Sequence, residues 1–188
     1  LYSSLNKAEE LSDRESDEKI IDIVDEDTGI SVSMNFPVID NHSRNLRRAG
    51  RLVKQTSSSE RMLILAMVAG YQGDHETEGV LMHKLRDKHP GDERVRQRMA
   101  NYFFFSLADY DSALSEYQKS IEINPAYSPA YNMMGYAQIE LGNNEAAAEA
   151  FQEYIKLVPD DPNPYDSYAE LLTKMGRFEE SIEMFRAA

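Results

Sequence analysis

The pattern of apolar and polar positions divides the chain into a short alternating segment and a long helical region. Between residues 21 and 36, apolar side chains such as Ile30 and Val32 alternate with polar ones such as Ser31. This period of two predicts a β-hairpin, and Asp25–Gly29 are expected to form its turn of about five residues. An isolated hairpin is marginal in water, so this one is expected to pack on the first helices.

Residues 42–55 are predicted to form a helix that has an apolar side and a basic remainder. The apolar side chains belong to Leu46, Ala49, Leu52 and Val53. The basic side chains belong to Arg44, Arg47, Arg48, Arg51 and Lys54, and no acidic residue occurs between residues 41 and 57. Basic residues at this spacing are explained by a helix face exposed to solvent. The alternative is that they form a basic patch that binds an anionic surface or partner.

Three prolines reveal a repeat in the helical region. Pro90, Pro125 and Pro159 are 35 and 34 residues apart, and each follows a pair of helix-like segments. Proline ends a helix because it lacks the backbone N–H and clashes with the preceding turn. A period near 34 residues is typical of stacked helical hairpins, in which no single hairpin buries its apolar face alone.

Residues 128–161 show the repeat most clearly. Its marker residues are Gly135 at repeat position 8, Gly142 at 15, Ala147 at 20, Phe151 at 24 and Pro159 at 32. Small residues at positions 8 and 20 allow two antiparallel helices to approach closely, and the aromatic residue fills the space beside them. Gly142 ends the first helix, because glycine adopts positive φ at little cost.

This pattern resembles the tetratricopeptide repeat family, whose copies have small residues at positions 8 and 20, aromatic residues at 4, 11 and 24, and proline at 32. Residues 94–127 fit the same frame with Ala100 at position 7, but they have Gln97 at 4 and Asn101 at 8. A degenerate copy spans residues 59–93 and is followed by one extra residue. An incomplete copy spans residues 162–188.

The resemblance implies a mainly α fold, a right-handed superhelical array of antiparallel helix pairs with a small N-terminal β-hairpin. Three segments are expected: acidic, flexible residues 1–18; the hairpin and basic helix at 19–57; and the repeats at 59–188. Because the chain starts with Leu1 and the last copy stops before position 32, we expect a processed or excised chain. The native protein is expected to continue beyond Ala188, or this end to be covered by another subunit.

The composition restricts the functional classes. A formal net charge of −13 opposes general nucleic-acid binding, because phosphates are met by Lys and Arg. The chain has no cysteine, which excludes disulfides, thiol catalysis and cysteine metal sites. No apolar run is long enough for a membrane span. The compartment stays open: the cytoplasm, or an exported location if a signal was removed.

No motif for catalysis or metal binding is present. The chain has 4 histidines, His42, His75, His83 and His89. His83 and His89 are six residues apart, so they do not share a helix face at ligand spacing. Phosphate loops, nucleophile elbows and zinc-protease helices are absent from the sequence. We therefore predict no enzymatic activity, no cofactor and no metal.

The resemblance also implies a concave groove lined by the first helix of each repeat, through positions 2, 5, 6, 9, 12 and 13. Carried over one at a time, these positions place in the groove Leu63, Met67, Tyr71, Arg98, Met99, Tyr102, Phe105, Asn132, Met133, Tyr136, Asp166 and Glu170. The predicted groove is apolar and aromatic at first and acidic at its end. Methionine and tyrosine suit the adaptable recognition of peptides.

The predicted function is therefore protein–protein interaction, with a peptide or an amphipathic helix bound in the groove. One alternative is a structural segment that self-associates through its open C-terminal end, and another is an accessory domain of a larger protein. The hairpin folded back into the groove is a further alternative to an accessible site. Family members that clamp a C-terminal carboxylate need Lys at position 5, where this chain has Leu63 or Arg98, so that partner class is not expected.

Overall fold

A computed structural model describes residues 21–25, 27–34, 45–46, 48–49 and 52–188. The predicted flexible segment 1–18 and His42 lie outside the described residues. The chain divides into two compact units, Leu1–Asp74 and His75–Ala188, which are described separately.

The first unit contains the predicted hairpin. Strand β1, Ile21–Asp25, pairs antiparallel with β2, Ile30–Met34. Ile23 and Val32 face each other across the pair, and both are buried. Asp25 pairs with Ile30 and belongs to the strand, so the turn has four residues and not the five predicted. The strand extends this far because the Asp25 carboxylate is fully buried and accepts hydrogen bonds from Thr28 N and Oγ1, at 3.1 and 2.6 Å.

A 3₁₀ turn, Val53–Gln55, precedes helix α1, Ser58–Tyr71. Ser57 caps α1 through a capping box with Glu60, in which each side chain bonds the other residue's backbone N–H. Leu46 and Val53 are buried, whereas Leu52 is exposed, so its predicted place on the apolar side is wrong.

The second unit consists of seven α-helices and one π-helical turn. They are α2, His75–Lys88; α3, Glu93–Asn101; the π turn, Tyr102–Ser106; α4, Tyr110–Ile123; α5, Ser128–Glu140; α6, Asn144–Leu157; α7, Pro162–Lys174; and α8, Phe178–Ala187. The closest contacts join α3 to α4, α5 to α6 and α7 to α8, and short turns make each pair antiparallel. The predicted mainly α array of helix pairs with an N-terminal hairpin is confirmed.

Buried clusters join successive helix pairs. Phe151 and Ala147 of α6 pack against Tyr168, Leu171 and Leu172 of α7. A second cluster joins Ala100, Ala113 and Tyr117 to Ala137 of α5. Each pair thus buries its apolar residues against the next one, as expected for a repeat array.

The π turn shifts the repeat frame of α3 by one residue. Backbone bonds from Asn143 N to Gln138 O and from Arg177 N to Leu172 O close the later hairpins over five residues. In the second copy the corresponding bond runs from Asp109 N to Phe103 O, over six residues. The extra residue of the second copy therefore lies in the π turn and not before residue 94. Each residue of α3 therefore has a repeat position one higher than predicted.

With this correction, Asp92 caps α3 and helix α3 starts at repeat position 1 with Glu93. Ala100 then takes position 8, where the later copies have Gly135 and Ala169. All three are buried. The predicted placement of Ala100 at position 7 and Asn101 at position 8 is wrong because the π turn inserts a residue downstream of both.

Candidate functional site: the face of the first helices

In the second unit, side chains from α3, the π turn that follows it, α5 and α7 form a face that we call the first-helix face. It is defined by Gln97, Arg98, Asn101, Phe105, Asn132, Met133, Tyr136, Asn163, Asp166 and Glu170. These residues are taken from repeat positions 5, 6, 9 and 12, and Asn163 is at position 2. Hydrogen bonds from α5 to α7 join four of these residues, and Tyr127, which directly precedes α5, bonds Gln97 of α3.

Tyr136 connects α5 to α7. Its hydroxyl lies 3.2 Å from Ser167 Oγ and donates to Glu170 Oε2 at 3.1 Å. Its ring meets that of Phe151 edge to face, with centroids 5.3 Å apart. Burial is the main cause that raises the pKa of the Tyr136 hydroxyl above its usual value, and the charge of Glu170 adds to it. The hydroxyl therefore stays protonated and holds the Glu170 carboxylate in place.

A second link joins the same helices through asparagines. Asn132 Nδ2 donates to Asn163 Oδ1 at 3.4 Å, and Tyr154 OH donates to the same oxygen at 3.1 Å. The Asn132 Oδ1 atom is buried and has no hydrogen-bond partner. Asn132 and Asn163 therefore tie α5 to α7 near their N-terminal ends.

At the α3 end, Tyr127 connects α5 to Gln97, whose Oε1 accepts from the Tyr127 hydroxyl at 2.6 Å. The next residue, Arg98, is exposed. Phe105 is 68% exposed, the most among the exposed large apolar residues of the described chain. Met133 is half-buried against the cluster that contains Ala100. The face therefore offers an exposed cation, an exposed aromatic ring and a partly buried methionine.

Two predicted groove residues are in the core. Met99 is fully buried, and Tyr102 is 8% exposed with its hydroxyl directed at His75 O, 3.3 Å away. Their assignment to an accessible groove is wrong because the frame of α3 is shifted. The shift places Gln97 and Asn101 on the face, which the sequence reasoning missed. The capping residue Asp92 and the small residue Ala100 are the signals that could have shown the frame.

The other predicted residues fall into two groups. Arg98, Phe105, Asn132, Met133, Tyr136, Asp166 and Glu170 lie on the first-helix face. Leu63, Met67 and Tyr71 lie half-buried on α1 of the first unit. A groove that includes these three stays a prediction. The corrected frame also puts Gln97 at position 5, so the cationic carboxylate clamp still lacks its lysine.

One polar cluster of the second unit contains residue types used in catalysis. Glu78 Oε2 accepts from Ser106 Oγ at 2.7 Å and lies 3.2 Å from His75 Nδ1. The carboxylate stands between the serine and the histidine, so the histidine is not placed to take the serine's proton, as a nucleophilic triad requires. The cluster instead ties α2 to the π turn. In the described part of the chain, no three His, Cys, Asp or Glu side chains are grouped for a metal ion.

A cavity of about 350 Å³ lies between α4, α5 and α6. Its lining includes Gln118, Met134, Gln138, Glu149 and Glu153, none of which belongs to the first-helix face. Among the described helices, none combines the length and apolar character needed to cross a bilayer.

Comparison with known sequences supports the repeat assignment. A family model described as tetratricopeptide repeat matches residues 104–171. A Dictyostelium discoideum protein named as a STIP1 homolog is 34% identical over 77 residues, which are 41% of this chain and 14% of that protein. Small glutamine-rich tetratricopeptide repeat-containing protein 2 of Saccharomyces cerevisiae is 32% identical over 56 residues, 30% of this chain and 16% of that protein. The chain thus matches only about a seventh of each relative's length.

Solved structures are similar in fold. MamA superposes with a TM-score of 0.60 at 18% identity, over 80% of this chain and 93% of the MamA chain. TTC0263, a thermophilic tetratricopeptide repeat protein in Thermus thermophilus, superposes with a TM-score of 0.65 at 19% identity, over 76% of this chain and 79% of that chain. At these identities the likeness shows the fold alone.

Proposed function

Because this chain belongs to the tetratricopeptide repeat family, we propose that it is a protein-interaction module that binds a peptide or an amphipathic helix on its first-helix face. Repeats of this family commonly mediate protein–protein interaction and are generally non-enzymatic scaffolds. Its acidic balance favours a protein over a nucleic acid as the partner.

The exposure of Phe105 is the observation that carries this proposal. Phe105 is 68% exposed although its ring also meets that of Phe104, and the same face offers Arg98, Met133 and Tyr136. Aromatic residues, methionine and arginine are the types enriched where proteins bind one another. Tyr136 is already held by hydrogen bonds, so little side-chain entropy would be lost on binding.

A phage-displayed dodecapeptide library panned against the full chain tests the proposal. We expect enriched peptides to bind with micromolar affinity, about −8 kcal/mol. Phe105→Ala and Tyr136→Ala should each weaken binding about tenfold or more, since truncated interface aromatics cost more than 1 kcal/mol. Phe178→Ala is the matched control, because Phe178 is exposed on α8 and lies off the face. Enriched peptides that bind all three variants equally well would refute the proposed site.

A second candidate function is self-association through α8. Phe178, Ile182 and Phe185 are 58%, 50% and 47% exposed and recur at helical spacing on this last helix. In α6 the residue that corresponds to Phe185 is Phe151, which is buried against α7. Light scattering over a range of concentrations tests this alternative. A protein that stays monomeric at every concentration would exclude it.

A further inference from the structure

The charged side chains of the first-helix face are ordered along it. Arg98 stands at the α3 end. The middle, on α5, carries the uncharged side chains of Asn132, Met133 and Tyr136. At the α7 end stand Asp166 and Glu170, both exposed. Among the residues that define the face, the charge therefore changes from positive on α3 to negative on α7, where the exposed Lys174 follows Glu170 by one helical turn.

Among the described residues, no ion pair neutralises these end charges. Neighbouring arginines of α3 are paired: Arg94 with Asp92 at 2.8 Å and Arg96 with Glu116 at 3.0 Å. Within the described residues, Arg98 has no carboxylate within 4.0 Å, and Asp166 and Glu170 have no Lys or Arg nitrogen within that distance. A ligand can pair with all three without breaking an ion pair among the described residues.

The negative end is also held in place. The Tyr136 hydroxyl donates to Glu170 at 3.1 Å, and that hydroxyl is itself fixed by Ser167 and by the packing of its ring on Phe151. A carboxylate held before binding loses less entropy when it meets a cation. Asp166 is one turn earlier on the same helix, so the two carboxylates share a face of α7.

We propose that the partner of this face is an extended peptide segment with an acidic and a basic side chain on opposite sides of an apolar stretch, bound in one direction only. The acidic side chain pairs with Arg98 and the basic one with Asp166 and Glu170, while the apolar stretch contacts Phe105, Met133 and Tyr136. This inference rests on the proposed function, since it assigns the partner chemistry of the same face.

The geometry of the array sets the spacing between the two charges. Packed helices lie about 8–10 Å apart, so two steps from α3 to α7 span about 20 Å. An extended chain advances about 3.3–3.6 Å per residue, so about six residues separate the charged positions. A peptide with the two charges exchanged would put like charges together at both ends, which gives direction and specificity more than raw affinity.

Three synthetic peptide pools test the inference on the full chain by fluorescence anisotropy. All share six central positions drawn from Leu, Met, Phe and Ser. One pool has Glu before and Lys after this stretch, the second has the order Lys then Glu, and the third has Gln at both places. We expect one charged order to bind about tenfold more tightly than the other, with the Gln pool between them and the difference reduced at high salt.

The decisive variant exchanges the charges at the two ends of the first-helix face. Arg98→Glu with Asp166→Lys and Glu170→Lys should exchange the preferred order, so that the pool disfavoured by the wild type binds more tightly. Glu149→Lys on α6 gives the same net charge change away from the face and should keep the wild-type preference. Circular dichroism shows whether each variant is folded.

Two results would overturn the inference. If both orders bind equally well, or if the reversed face keeps the wild-type preference, the charges do not select the partner. Binding of the Gln pool that Phe105→Ala abolishes would still support the proposed function in that case. If no pool binds the wild type, neither the charge order nor the proposed peptide site stands.

Discussion

The ring of Phe151 lies directly against the backbone of Gly135, so that a Cβ atom on Gly135 would be 2.6 Å from Phe151 Cε1 and 2.7 Å from Cζ. Phe151 is fully buried and packs with α7, so its ring has no space to move away. The contact joins the two helices of one pair to the next pair. It also explains why a glycine occurs in the middle of helix α5, where it is intrinsically unfavourable.

Gly135→Ala is therefore expected to destabilise the second unit by about 1–3 kcal/mol, because overpacking outweighs the gain of about 1 kcal/mol in helix propensity. Urea unfolding followed by circular dichroism measures the change. Gly91→Ala is the control, since a Cβ there meets nothing within 4 Å, and its effect should stay within about 0.5 kcal/mol. A Gly135→Ala protein that is more stable than the wild type would show that the Phe151 ring can move aside.

Ala108 occupies the position at which the other hairpins have glycine. Its φ is 50°, against 79° for Gly142 and 76° for Gly176. A left-handed conformation costs a residue with a Cβ about 1–2 kcal/mol, so Ala108→Gly is expected to stabilise the protein by about 1 kcal/mol. The converse change, Gly142→Ala, should destabilise it by a similar amount. Thermal unfolding of both variants measures the effects, and shifts of the same sign would contradict this account.

Glu116 makes the stability of the second unit depend on pH. Burial raises the pKa of its carboxyl, but hydrogen bonds from Lys119 at 2.8 Å and Arg96 at 3.0 Å outweigh burial and hold the pKa below 4.5. The native state thus binds this proton less readily than the unfolded chain does. The stabilisation is complete above pH 4.5 and is lost as the pH falls through the lowered pKa.

Glu116→Gln is therefore expected to lower the free energy of unfolding at neutral pH by about 1–3 kcal/mol. The difference between the variant and the wild type should shrink as the pH falls below about 4.5. Denaturant unfolding at several pH values tests this. Glu122→Gln, which changes an exposed acid on the same helix, is the control. A constant gap between wild type and Glu116→Gln at all pH values would exclude the linkage.

Asp25 is expected to hold the hairpin in the first unit. Its Oδ2 accepts from Thr28 N and Oγ1, and its Oδ1 lies 3.7 Å from Arg61 Nη1 of α1. Asp25→Ala removes a fully buried carboxylate and leaves Arg61 without its anion, which costs about 3–5 kcal/mol for a buried pair. In Asp25→Ala we expect the backbone amides of β1 and β2 to exchange hydrogen much faster than in the wild type. Asp22→Asn, at an exposed site of the same strand, should cause little change, and equal effects of the two would argue against this role.

Much of the fold could be predicted because repeat position dictates residue type wherever helices approach closely. The structural roles of Gly135, Phe151 and the turn glycine Gly142 were predictable from their spacing alone. The hairpin was predictable from its alternation, apart from the burial of Asp25. A buried carboxylate in a strand gives no hydrophobic signal, and only its contacts with Thr28 and Arg61 show why it is tolerated.

The candidate site was less predictable. Spacing placed Tyr136, Asp166 and Glu170 on one face, and the hydrogen bond from Tyr136 to Glu170 agrees with that placement. Met99 and Tyr102 were misplaced because the spacing showed one extra residue but not its position. From the sequence alone, the extra residue could be assigned to the segment before α3 or to the first helix itself.

The sequence by itself determined the repeat, its period and its acidic character, because helix packing requires small, aromatic and helix-breaking residues at fixed intervals. Only the tertiary structure decided where the extra residue of the second copy lies and which side chains of α3 are therefore exposed. The physical reason is that a π turn rotates every residue upstream of it by about 100° relative to the core, and this choice depends on how Ala100 and Tyr102 pack against other helices.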